Sequence, residues 1–179
     1  MALSRLPLLA LVPAASLALA ACDRTRDESC PGVAIAALAL HGALDQASCA
    51  IPPAGGWNPP DMLPQGQPEG TFDAVFSWDQ AAQQVAYCTG GQHAVVLRGQ
   101  RTGEHLRAEV TLPGAVLAGC ATTCEPLMTV VVEGDLSASA TPVTFTGTLT
   151  ETFDQSTGDC APCQLPCTSR YTLTGAEQE

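Results

Sequence analysis

The chain has 179 residues, 18 Asp and Glu against seven basic residues, and a formal net charge of −11. So acidic a surface repels phosphate backbones, which excludes nucleic acid as a partner. All seven basic residues are Arg (Arg5, Arg24, Arg26, Arg98, Arg101, Arg107 and Arg170), and the absence of Lys removes Schiff-base, phosphate-loop and kinase-type chemistry.

Residues 1–21 open with one basic residue, Arg5, continue through an apolar segment from Leu6 to Ala21, and end on small residues before Cys22. That is the layout of a secretory signal peptide. The apolar segment contains Pro7 and Pro13 and falls short of the ~20 residues a membrane-spanning helix needs.

The run Leu19-Ala20-Ala21-Cys22 resembles the lipobox of bacterial lipoproteins, and every position of it is filled. The resemblance covers the leader only. It implies cleavage before Cys22, a diacylglycerol on the Cys22 thiol and, usually, acylation of the new amino terminus. Two or three acyl chains hold a protein firmly, because each buried methylene contributes about 0.8 kcal/mol. The implied location is the bacterial cell envelope, lipid-anchored and facing the periplasm or the exterior. Asp23 retains lipoproteins in the inner membrane of enteric bacteria but not in other groups, so either membrane stays open.

Removing residues 1–21 leaves 158 of the 179, which suits one domain and a tail. Residues 22–70 read as the anchor, a charged spacer (DRTRDES), a small loop and a linker. Val33 to Leu44 (VAIAALALHGAL) is apolar with a spacing that fits helix and strand equally. Cys30 and Cys49 bracket it, which predicts a bridge between them. Ala50 to Gly70 is rich in Pro and Gly, a composition of irregular backbone, with Trp57 pinning it to the domain.

Residues 71–179 form the expected β domain, because from Thr71 the pattern becomes alternation with period two. Phe72, Ala74, Phe76 and Trp78 share one face. Val85 and Tyr87 lie on the next strand and His93 to Arg98 on a third, followed by a turn from Gly99 to Gly103. Leu106, Ala108, Val110 and Leu112 then face inward against His105, Arg107, Glu109 and Thr111. Met128, Val130 and Val132 begin a fifth strand. Val143, Phe145, Leu149 and Phe153 oppose a threonine row from Thr144 to Thr152, and Tyr171 and Leu173 close the set. About seven short strands with polar turns predict an all-β fold, an antiparallel sandwich or small barrel.

With Cys22 assigned to lipid, Cys30, Cys49, Cys88, Cys120, Cys124, Cys160, Cys163 and Cys167 remain, an even number that reads as disulfides in an exported chain. Close thiol pairs at Cys120/Cys124 and Cys160/Cys163/Cys167 leave zinc as the alternative. If consecutive strands run up and down, Cys88, Cys120, Cys124, Cys160, Cys163 and Cys167 gather at one pole and pair among themselves.

Other constellations are weaker. Cys160-Ala-Pro-Cys163 is spelled like a redox pair but lacks the following helix that would activate it. His41, His93 and His105 are the only histidines and do not make a metal set. Asp154 to Asp159 reads as a polar turn rather than a calcium loop. Arg98, Arg101 and Arg107, with His105, form the one basic cluster, a weak candidate anion site set among Glu104 and Glu109. No hydrolase motif is present, and no cofactor or metal is expected. The sequence therefore points to a noncatalytic envelope lipoprotein that touches the membrane through its lipid and binds a protein, glycan or small ligand, or serves structurally. The alternatives are a small hydrolase without a motif and a disulfide-rich protease inhibitor.

Overall fold

A computed structural model describes residues 30–48, 69–89, 95–113, 120–121, 123–162 and 164–177. Eight strands follow in order among them: β1 (Val33–Ala47), β2 (Glu69–Asp79), β3 (Gln84–Thr89), β4 (Val96–Thr102), β5 (His105–Pro113), β6 (Glu125–Ser137), β7 (Thr144–Thr157) and β8 (Cys167–Glu177). Each pairs antiparallel with the next and β8 pairs with β1, so the sheet closes into a barrel that leaves no edge free to recruit another strand. Of the two all-β architectures expected, the barrel is the one formed.

The register sets the barrel's dimensions. A path straight across the ladder from Ala34, through Ser77, Ala86, Arg98, Glu109, Val131, Thr150 and Arg170, returns to β1 at Gln46, twelve residues on. Two of the twelve are bulge residues, Ile35 and Asp45, which leaves a stagger of ten. Eight strands with such a stagger tilt by about 40° and enclose a bore that side chains can fill.

That bore is the hydrophobic core. Leu38, Leu40, Phe76, Val85, Tyr87, Leu97, Leu106, Met128, Val132, Leu136, Phe145 and Leu173 are fully buried in it. Phe76 sits at its centre, with ring centroids 5.1 Å from Tyr87 and 4.9 Å from Phe145. Gly134 and Gly147 pair across β6 and β7, and the Phe145 ring lies against both. A Cβ on either would come within 2.9 Å of Phe145 Cζ, so the bare backbone there makes room for the ring. Outward positions such as Arg98, Gln100, Arg107, Glu109 and Thr146 are exposed and polar. This apolar-in, polar-out arrangement is the reverse of a lipid-spanning barrel.

The two ends differ. At one, β2–β3, β4–β5 and β6–β7 are joined by 4, 2 and 6 residues; at the other, β1–β2, β3–β4, β5–β6 and β7–β8 are joined by 21, 6, 11 and 9. Cys120 and Cys124 lie in the third of the long connections and Cys160 in the fourth, and a Cys124–Cys160 disulfide ties those two together. Cys120 and Cys167 are disulfide-bonded as well. These bonds remove the zinc alternative for the four cysteines concerned, and because Cys160 is bonded to Cys124, Cys160-x-x-Cys163 is not a redox pair.

Residues 30–32 lie against the outside of β2 and β3. Val75, Ala86 and Cys88 form a small apolar cluster on that outer wall, with Cys30 and Val96 against it. Ser77 Oγ donates to Pro31 O at 2.6 Å, and a Cys30–Cys88 disulfide fastens the segment.

Three expectations are thereby corrected. Cys30 bonds to Cys88 and not to Cys49. The segment between Cys30 and Cys49 is a single 15-residue strand, about 50 Å long at ~3.3 Å per residue, whereas a disulfide needs its Cα atoms within about 7 Å. For the same reason Cys88 does not pair within the loop-bearing pole, although Cys120, Cys124, Cys160 and Cys167 do gather there. The barrel also begins at Val33 rather than at residue 71, because β1 is its eighth strand, hydrogen-bonded on both sides. The leader, Cys22, Cys49, Trp57, His93 and Cys163 lie outside the described residues.

Candidate functional site

Strand β7 places one carboxylate inside the barrel. Alternation puts its odd-numbered residues inward, so Phe145, Gly147, Leu149, Glu151 and Phe153 share a face while Thr146, Thr148, Thr150 and Thr152 point out. Glu151 is 3% exposed. It is paired with Val130 on β6 and with Ser169 on β8, and Ser169 is 5% exposed. Tyr171, the next inward residue of β8, pairs with Leu149 and is therefore the diagonal neighbour of Glu151.

Glu151 Oε1 has no hydrogen-bond partner among the described residues. Burial pushes its carboxyl up to about 8, so at neutral pH the group is held mostly protonated. Burial also raises the Tyr171 phenol to about 12, and the Glu151 charge adds to that rise. A second orphan, the Tyr87 hydroxyl, is completely enclosed in the core, where burial raises it further still.

Glu151 is midway along β7 but faces Ser169, the third residue of β8 counted from the loop-bearing end. Asp45, Glu69, Glu125 and Asp154 stand within a few residues of strand ends on the same side, the last three with outward parity, and Asp159 follows β7. Arg170 is the described cation among them, 3.8 Å from Asp45. The surface near this end is thus negative, and Glu151 has no ion-pair partner among the described residues.

The basic cluster does not assemble into an anion site. Arg98 Nη1 is 3.0 Å from Asp79 Oδ2, and Arg107 reaches both Glu109 at 2.7 Å and Glu133 at 3.4 Å. Arg101 has the opposite strand parity and donates from Nε to Gly103 O. His105 stands opposite Thr102, because the β4–β5 turn is tighter than the one expected from Gly99 to Gly103; its ring lies between Glu133 and Asp135. At Asp154 to Asp159, β7 continues to Thr157, Gly158 turns the chain with φ 79°, and Asp159 Oδ1 accepts from the Ala161 N–H. The polar turn expected over Asp154 to Asp159 is thus confined to Gly158 and Asp159, the first four residues being strand.

Sequence reasoning missed Glu151. The signal was its parity: it occupies the inward register of Phe145, Leu149 and Phe153, where a carboxylate interrupts an apolar series. Chemically, the site offers a carboxyl that donates a hydrogen bond when protonated and pairs with a cation when ionised, flanked by two hydroxyls. Comparison with known proteins adds no relative: no protein-family model, curated protein or solved structure matches the chain.

Proposed function

We propose that the protein is a lipid-anchored module of the bacterial cell envelope that binds a ligand at the loop-bearing end of its barrel and does not catalyse a reaction. The observation that carries the reading is the asymmetry of the connections on a cross-linked frame: 21, 6, 11 and 9 residues at one end against 4, 2 and 6 at the other. Long connections on a rigid scaffold are where recognition residues are placed, and barrel mouths are frequent ligand sites. The disulfides support an oxidising compartment. The lipobox-like leader supports retention at a membrane.

Replacement of the acceptor thiol tests the anchored reading. In a bacterial host the parent chain is expected in the membrane fraction with an acyl mass on Cys22, and Cys22→Ser is expected to lose both processing and membrane retention. A Cys22→Ser chain cleaved at the same bond and held equally well would overturn it.

A further inference from the structure

We propose that the mouth of the barrel receives an alkylammonium group, with Glu151 as its counter-ion beside Ser169 and Tyr171. The proposal rests on the binding-module reading above and names the chemistry of its ligand.

Three observations carry it. Glu151 is 3% exposed with Oε1 unpartnered among the described residues, which leaves its hydrogen-bonding capacity open to a partner from outside the chain. The described arginines cannot supply that partner: Arg98, Arg107 and Arg170 are ion-paired elsewhere, and Arg101 is bonded to its own turn. The outer surface near this end carries Asp45, Glu69, Glu125, Asp154 and Asp159, a negative field that draws cations to this end and repels anions. The surroundings favour an ammonium on an apolar stem: Val130, Leu149 and Phe153 neighbour Glu151 in the register, and Tyr171 is the aromatic residue at the diagonal position.

Pairing requires Glu151 to give up its proton, so binding is coupled to proton release. Among the described residues, the titratable group facing Glu151 from β8 is Tyr171, while β6 presents Val130 and β7 itself Leu149 and Phe153. Tyr171 ionises only well above Glu151, so a proton released below pH 9 is assigned to the carboxyl.

The test is isothermal titration of the full protein with hexylamine, hexan-1-ol and hexanoate, each in two buffers of different ionisation enthalpy. Hexylamine is expected to bind about tenfold more tightly at pH 7 than at pH 6, to level off above pH 8, and to release close to one proton at pH 6. Hexanoate is expected not to bind, and Glu151→Gln, with its fold verified by circular dichroism, is expected to lose the pH dependence and at least tenfold in affinity. Nα-acetyl-lysine methylamide tests whether the same group is accepted from a peptide; binding by either amine supports the proposal. Absence of binding by both amines, a pH-independent affinity, or equal binding of hexan-1-ol would overturn it. The proton count is measured on the parent chain and stands even if the variant misfolds. Failure here with Cys22→Ser still releasing the protein would remove the ligand chemistry and leave the anchored module in place.

Discussion

The Glu151 carboxyl makes stability fall with pH across a defined window. In the folded chain burial pushes it up to about 8; unfolded, it returns to the ordinary value of 4.5. Below pH 4.5 both states hold the proton and the group contributes no penalty. Between 4.5 and 8 the unfolded chain ionises while the folded chain keeps its proton, so each pH unit favours unfolding by up to about 1.4 kcal/mol. The accumulated penalty is about 3 kcal/mol at pH 7 and about 5 kcal/mol above pH 8, a large share of the ~5–15 kcal/mol that holds a domain together. The chain has 18 carboxylic side chains, so the comparison must isolate one of them. Urea unfolding of the parent and of Glu151→Gln at pH 5, 6, 7 and 8 does so by difference. The variant is expected to gain on the parent steadily from pH 5 to 8, by about 3–4 kcal/mol over that range, with m unchanged. Parallel curves for the two proteins would refute the buried, unpaired carboxyl.

Three further outcomes follow from the core and the cross-links. Replacing Cys124 and Cys160 together by Ala releases a bridge spanning 36 residues, which is expected to cost about 2–4 kcal/mol and to lower Tm by roughly 8–16 °C in non-reducing thermal melts. Gly147→Ala drives a methyl into the Phe145 ring and the Glu133 backbone, and a loss of about 1–3 kcal/mol is expected in urea titration. Tyr87→Phe removes a buried hydroxyl without a partner, so it is expected to raise stability by about 1 kcal/mol; a comparable loss would show that the hydroxyl is satisfied.

Strands β2 to β8 were legible because large apolar side chains alternate with Thr, Arg and Glu, and a closed sheet with one wet face demands that alternation. Strand β1 was not, because Ala34, Ala37 and Ala39 stand on its outer face beside Ala36, Leu38 and Leu40 on the inner one. Alanine is small enough for either side and blurs the period. The Cys30–Cys49 pairing failed through length: nearness along the chain is distance in space once the intervening residues extend. The up-and-down order was correct and brought Cys120, Cys124, Cys160 and Cys167 to one end, because each described strand pairs antiparallel with the next. The arginine cluster dissolved because Asp79, Glu109 and Glu133 come from other parts of the chain and meet Arg98 and Arg107 only when the sheet closes. Glu151 needed no distant information, only strict bookkeeping of odd and even positions along β7.

The Cys30–Cys88 bond decides how force enters the molecule. If Cys22 carries the proposed lipid, the tether reaches residue 30 through seven intervening residues, at most about 29 Å of chain. Without the bond, a pull from the bilayer would act on the start of β1 and unzip its ladders one rung at a time. With it, the load passes through sulfur into the flank of β3, where ladders on both sides resist together in shear. Under that anchoring the barrel would hang from its side wall rather than from either end.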